Sequence, residues 1–212
     1  GCVSEAPGVR TPLTGAAANR LLQRERAVID ALAVGSGTVL ADDPQLTARG
    51  TYRYRPLTRV VFDTRLRIDP RAKLFSTLDA GPVIIVTTAL AAGRAAGRAR
   101  ALRDAGAELM EVAPGRPVSA PGAARADLGS ALKALAGRGI SSLLVEGGVE
   151  LHRAFWDAGL VDRVQIVRTP HRLGPRGLAW LPEVAAGRGW TPGAPRALGA
   201  DLLIEGYVYR AD

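Results

Sequence analysis

The stretch from Ser142 to Trp156 constrains the fold of this chain more than any other. Leu143, Leu144 and Val145 run into Glu146 and two glycines, and a helical pattern follows. A short continuous apolar run ended by glycines reads as a parallel strand buried on both faces. Val149, Leu151, Ala154, Phe155 and Ala158 form the apolar stripe of the next helix, which Gly159 ends. Strand, tight turn and helix N-terminus together point to an α/β architecture. The turn has a phosphate-binding geometry, because glycines admit a ligand to the backbone and first-turn amides favour an anion. A plain strand-turn-helix connection, with glycines needed only for chain reversal, fits the same residues. The tripeptide is far shorter than a dinucleotide fingerprint, so the local sequence leaves both readings open.

The rest of the chain repeats the alternation. Gly1 to Gly15 is broken by Gly and Pro and lacks an initiator methionine, which reads as a fragment or a processed terminus. A helix is expected from the Thr14 region, with Thr14 as N-cap, through Leu21, Leu22, Arg26 and Ile29 to about Ala31. Leu32 to Gly35 is a short buried strand, followed by a glycine-permitted turn, one short helical segment and the double acid Asp42-Asp43 before Pro44. Proline disfavours helix at Asp43, and turn formation accounts for at least one of the two acids. Arg59 to Asp63 and Pro82 to Thr88 are further strands, Ala89 to Ala105 is an Ala/Arg-rich surface helix, and Glu108 to Val112 is an alternating strand nearer an edge. Pro114 to Pro121 is a connecting loop, and Ala126 to Ala136 is a helix leading back to the Glu146 strand. Arg163 to Arg168 and Leu202 to Tyr209 are strands with no evident helix between them, so the sheet should finish antiparallel.

Strand ends after Val34, Asp63 and Glu146 could meet at one crevice, where such sheets bind ligands. Thr64, Arg65 and Arg67 lie just beyond one of them, a hydroxyl and two cations suited to a phosphate or an adenosine ribose, although solvated loop arginines fit equally well. A formal charge of +8 calls for anionic partners, and its distribution narrows them. Arginines stand singly among alanines and glycines, and aromatics are 5% of the chain, so phosphorylated small molecules fit better than nucleic acid. The single Cys2 cannot close an internal disulfide, no Cys/His cluster has metal-ligand spacing, and no metal is expected. No apolar run approaches a membrane span and nothing resembles a signal peptide, which predicts a soluble, cytoplasmic protein without membrane partners. His152, on the helix after the glycine turn, reads as a surface helix residue, and His171 as solvated.

The run from Val34 to Arg49 (VGSGTVLADDPQLTAR), with Phe62-Asp63-Thr64, Val145 to Gly148 and Gly159 to Asp162, resembles the reductase domain of the bifunctional riboflavin-biosynthesis deaminase/reductase. The match runs in order over nearly the whole chain. It implies a dihydrofolate-reductase-like fold: a mixed, mostly parallel sheet flanked by helices on both faces, with antiparallel C-terminal strands, over residues 1–212 as a single reductase domain. It also implies NADPH-dependent reduction of the ribosyl side chain of 5-amino-6-(5-phosphoribosylamino)uracil to the ribityl form. The alternatives are a same-fold reductase acting on the diamino pyrimidine and a non-catalytic nucleotide- or nucleic-acid-binding domain. No His-x-Glu with a Pro-Cys-x-x-Cys partner is present, so no deaminase domain is expected. Family habit further implies a homodimer.

Carried over by position, Thr38, Asp42, Thr64 and the run from Gly148 to Ala154, including Val149, Glu150 and Leu151, match cofactor positions. Gly147, Arg65 and Arg67 extend that set by their neighbourhood. Arg26, Leu46, Arg49 and Glu146 match substrate positions. Asp42 and Glu146 are the catalytic candidates, Asp42 for sugar positioning or proton transfer and Glu146 for holding the pyrimidine or sugar, while Arg26 and Arg49 would contact the 5′-phosphate. Two features differ from the family pattern: the sequence starts at Gly1, where the family has the last glycine of a lysine-bearing strand ending Ser-Leu-Asp-Gly, so that either the chain is seen incompletely or the domain lacks that strand, and Pro12 stands where a tryptophan is common.

Overall fold

A computed structural model describes residues 2–9, 11–115 and 125–209. The opening holds a short strand, β1 (Cys2–Ser4), then α1 (Ala16–Val28), β2 (Ala31–Gly35) and α2 (Ser36–Asp42). β3 (Thr58–Phe62) leads through a 3-10 segment, Lys73–Ala80, to β4 (Val83–Thr88). Two helices, α3 (Ala89–Arg94) and α4 (Ala96–Asp104), precede β5 (Ala107–Val112). Then come α5 (Leu128–Ala136), β6 (Leu143–Gly147), α6 (Val149–Asp157) and β7 (Arg163–Arg168). The chain closes with β8 (Leu178–Ala179), α7 (Pro182–Ala185), β9 (Thr191–Pro192), β10 (Arg196–Leu198) and β11 (Asp201–Tyr207).

Five parallel strands form the central sheet in the order β5-β4-β3-β2-β6. Their sequences are apolar at nearly every position because both faces are covered. One face carries Leu32, Val34, Val61 and Ile85 under Ala99 and Leu102 of α4; the other carries Ala31, Ala33, Val60, Ile84 and Val86 under Ala131 and Leu135 of α5. α6 closes the second face, where Phe155 meets Phe62 edge to face at 5.7 Å. β10, β11, β7 and β9 make a separate antiparallel sheet, in which β11 pairs with all three others. The α/β, dihydrofolate-reductase-like class is therefore as expected, but the antiparallel strands build their own sheet instead of extending the parallel one.

Several local expectations are corrected. α1 begins one residue after its Gly15 N-cap, since the Gly15 amide is taken by Asp201 Oδ2 at 2.7 Å, and Thr14 bonds the Asn19 side chain instead of capping. It ends at Val28, not Ala31, because the Ala31 amide donates to Ser142 O and draws that residue into the sheet. The Ala89 to Ala105 segment breaks at Ala95 into two helices. Ala126 precedes α5 and bridges to Pro114, and the expected loop to Pro121 lies mostly outside the described residues. β1 is real, paired antiparallel with β8, and a one-turn helix, α7, opens on Pro182 between the C-terminal strands. No helix among the described residues is long and apolar enough to cross a membrane.

Candidate functional site

The chain adds strands outward from β2 to β5 and then returns to place β6 on the other side of β2. Strand order thus reverses between β2 and β6, and the crevice beyond their carboxyl ends is where sheets of this type take ligands. Two helix N-termini open there. α2 and α6 have the glycine N-caps Gly35 and Gly148 and no side-chain cap, whereas α3 and α5 are capped by Thr88 and Asp127. First-turn amides without an internal acceptor are costly unless water or a ligand meets them. At α6 those amides belong to the nine-residue helix that follows the glycine turn.

The turn itself is tight. The Gly147–Gly148 peptide is cis, and a Cβ at either glycine would stand 3.3 or 3.2 Å from Thr38 Oγ1. Gly148 has φ −86°, a conformation open to any residue, so a side chain there would meet the tight approach of Thr38 on α2 and no backbone strain. Thr38 therefore lies against the turn, and Asp42, four residues further along α2, shares its face. Asp43 is the turn-forming acid of the pair: it has φ 41°, ends α2, accepts from the Lys73 amide at 2.8 Å and pairs with the Lys73 ammonium at 3.3 Å.

Glu146 is the extra residue of an irregularity in β6, since Ala33 pairs with Val145 and Val34 with Gly147. Such bulges re-aim a side chain at a sheet end. Its carboxylate receives both Arg26 Nε, at 2.7 Å, and a second Arg26 nitrogen, at 2.5 Å, and the side chains are only 18% and 16% exposed. Arg26 also donates to Thr47 O at 2.9 Å. The fork expected for a phosphate is thus turned onto Glu146. Leu46, buried with φ 56°, and Thr47 fold the following loop against α1, where Gln23 accepts from the Arg49 amide and Arg53 donates to Arg26 O. The Arg49 guanidinium is exposed and has no partner among the described residues.

Beyond β3, Thr64 Oγ1 accepts from the Ala126 amide at 3.1 Å and keeps its own proton for another partner. Arg67 donates to Ser36 Oγ at 2.8 Å and lies 4.0 Å from Asp63, which is buried and accepts from the Ile68 amide. Arg98 of α4 binds the carbonyls of Leu66, Arg67 and Ile68, fixing the loop from its other side. Arg65 is exposed, and Glu150 pairs with Arg125 at 3.0 Å. Gly147, Gly148, Val149, Glu150 and Leu151 line the β6–α6 turn, with Leu151 buried beneath it. Among the described residues no group of His, Cys, Asp and Glu could hold a metal ion.

The sequence reading missed Gln23, Ser36, Arg53, Arg98 and Arg125 as supports of the site. Ser36 lay inside the long first motif and Asp63 at a named strand end; Arg98 and Arg125 carry no local signal because their partners are 25 to 32 residues away. His152 is not a solvated surface residue: it is half-buried and hydrogen-bonded at both ring nitrogens, because α6 packs onto the strand that precedes it. His171 is exposed, as expected.

A parallel sheet with its crevice at the reversal of strand order, a glycine turn at a helix N-terminus and a neighbouring guanidinium-carboxylate pair define an α/β domain of the dihydrofolate-reductase-like class. The family model for the RibD C-terminal domain matches residues 1–183. The chain belongs to that family. It is 33% identical over 188 residues to the riboflavin biosynthesis protein RibD of Chlamydia muridarum, covering 87% of this chain and 47% of the relative. It is 30% identical over 167 residues to the 2,5-diamino-6-ribosylamino-4(3H)-pyrimidinone 5′-phosphate reductase of Archaeoglobus fulgidus, covering 74% and 69%. It thus spans about half the length of the Chlamydia relative and over two thirds of the Archaeoglobus reductase. The RibD structure of Acinetobacter baumannii superposes with a TM-score of 0.75 at 22% identity, covering 99% of this chain and 55% of that one.

Proposed function

We propose that this chain is an NADPH-dependent reductase of riboflavin biosynthesis, converting the ribosyl side chain of 5-amino-6-(5-phosphoribosylamino)uracil to the ribityl form. The observation that carries the reading is the placement of the Arg26–Glu146 pair directly beside the Gly147–Gly148 turn, at the reversal of strand order. A polar substrate and an anionic cofactor would meet there. The residues present fit a dinucleotide: a turn of two glycines with bare backbone, an uncapped helix N-terminus, and Arg67 held by Ser36 at the start of α2. Gly147, Gly148, Val149, Glu150 and Leu151 would carry its diphosphate with Thr38. Thr64, Arg65 and Arg67 would receive the adenosine end, Arg67 being held toward the crevice by Ser36. When bound, the cofactor supplies the hydride.

The remaining work falls to side chains of this chain. Glu146, fixed by Arg26, would orient the pyrimidine or sugar; Leu46 would supply an apolar wall and Arg49 the free cation for the 5′-phosphate. Asp42, on the same face of α2 as Thr38, would position the sugar or pass a proton. In this reading residues 1–212 act as one reductase domain and assemble as a homodimer, which sedimentation would test.

The names of the relatives support a second substrate, the diamino form of the same phosphoribosylaminopyrimidine, since identities of 33% and 30% do not separate the two groups. Steady-state NADPH oxidation with each pyrimidine decides between them. Turnover of neither, with salt-dependent binding to RNA or DNA and no NADPH binding, would support a non-catalytic binding domain instead.

A further inference from the structure

His152, in the first turns of α6, holds the glycine turn at two points. Its backbone amide donates to Gly148 O at 3.0 Å, and its ring Nε2 lies 2.9 Å from Val145 O. Between those anchors stand only Glu146 and Gly147. The other ring nitrogen, Nδ1, is 3.0 Å from the indole nitrogen of Trp180, and the two rings meet edge to face at 5.9 Å.

These partners assign the tautomer. An indole N–H can only donate, so Nδ1 presents its lone pair; a carbonyl can only accept, so Nε2 carries the proton. Both nitrogens are used and the ring is neutral. Burial pushes its pKa down and favours that form. Among the described residues β6 is the last strand of the parallel sheet and has no strand on its outer side, and the ring supplies the Val145 carbonyl with a donor. Trp180 belongs to the C-terminal segment and packs against the cluster of Val164, Leu181, Val184 and Trp190.

We propose that His152 is a positioning residue for the reaction: it fixes the backbone on both sides of Glu146, and Trp180 holds its ring in the one tautomer that can do so. The carboxylate is then gripped at both ends, by Arg26 at its oxygens and by His152 at its main chain. The segment around Trp180, packed in one cluster with Val149 of the turn, becomes part of the crevice's support. This inference rests on the reading of Glu146 as a substrate contact.

Two substitutions divide the ring's functions. His152→Gln places an amide donor near Nε2 and keeps the bond to Val145; His152→Asn places an acceptor near Nδ1 and keeps only the bond from Trp180. Positioning predicts that H152N lowers kcat by roughly ten- to a hundredfold, the scale of a misplaced reacting group. H152Q restores most of that loss, and the NADPH dissociation constant and thermal midpoint stay close together in the two variants. Trp180→Phe, which removes the indole donor, should lower kcat in the same direction and move the imidazole nitrogen shifts away from a single Nε2–H tautomer in the cofactor-free protein. Equal kcat in H152N and H152Q, whether both unchanged or both reduced in step with the thermal midpoint, would reduce His152 to a packing residue and overturn the proposal. Wild-type protein that binds NADPH but turns over neither pyrimidine would overturn the reductase reading, and this inference with it; active wild type with equal variants would overturn the inference alone.

Discussion

Replacing Arg26 by methionine keeps an unbranched apolar stem and removes only the guanidinium, so it isolates the contact with Glu146. An exposed ion pair is worth about 0–1 kcal/mol, whereas breaking a fully buried one costs about 3–5 kcal/mol because the remaining charge is stranded. Here the two side chains are 16% and 18% exposed and the contact is two-pronged, at 2.7 and 2.5 Å. That geometry lies nearer the buried limit, and about 2–3 kcal/mol is expected for the pair. Arg26→Met also loses the 2.9 Å bond to Thr47 O, adding about 1 kcal/mol. A total of about 3–4 kcal/mol corresponds to a thermal midpoint lowered by roughly 6–15 °C in a chain of this size. A double-mutant cycle of R26M, E146Q and the combination, read by urea unfolding, removes the Thr47 contribution and should leave a coupling of about 2 kcal/mol. High salt should weaken that coupling only modestly, since partly buried pairs are poorly screened. Turnover adds an independent axis: E146Q should slow catalysis far more than it weakens NADPH binding. A coupling below about 0.5 kcal/mol, or one abolished by 1 M salt, would mean that both groups are solvated and that Glu146 is not held for a substrate.

Gly148→Ala should weaken NADPH binding with little loss of stability, because φ is −86° and the new methyl, 3.2 Å from Thr38 Oγ1, intrudes on the turn without straining it. A large fall in thermal midpoint with unchanged affinity would make the turn a folding element only. Arg67→Ala should cost NADPH about 1.5–3 kcal/mol of affinity and leave NADH nearly unchanged, if the guanidinium held by Ser36 meets a 2′-phosphate; equal losses for both cofactors would refute that role. Asp30 is held at about 2 by hydrogen bonds from the Ser141 and Ser142 side chains and amides. Its folded pKa lies below the unfolded value, so the stabilisation is complete above about pH 4 and is lost as pH falls toward 2. Thermal midpoints of wild type and Asp30→Asn should therefore converge between pH 4 and 2, and parallel curves would show that these bonds do not favour the ionised form.

The class of fold is legible from local pattern, since strands buried on both faces must be apolar at nearly every position, and Leu32 to Val34, Val60 to Phe62 and Val83 to Val86 carry that pattern. The sequence also marked the glycine turn, because the absence of a side chain at Gly147 and Gly148 is legible without a partner in view. What crowds a side chain there is Thr38, brought across from α2 by the pairing of β2 with β6, a contact that no local pattern encodes. In the same way the sequence singled out Arg26 and Glu146 but not their mutual contact, which joins residues 120 apart. His152 and Trp180 show the limit most clearly. On a helix pattern His152 falls among residues that face water, and Trp180 lies in a Gly/Pro-rich stretch without periodicity. Their bond depends on how the C-terminal segment packs against α6. Periodicity records which face of an element is buried, and it holds no information about which distant element does the burying.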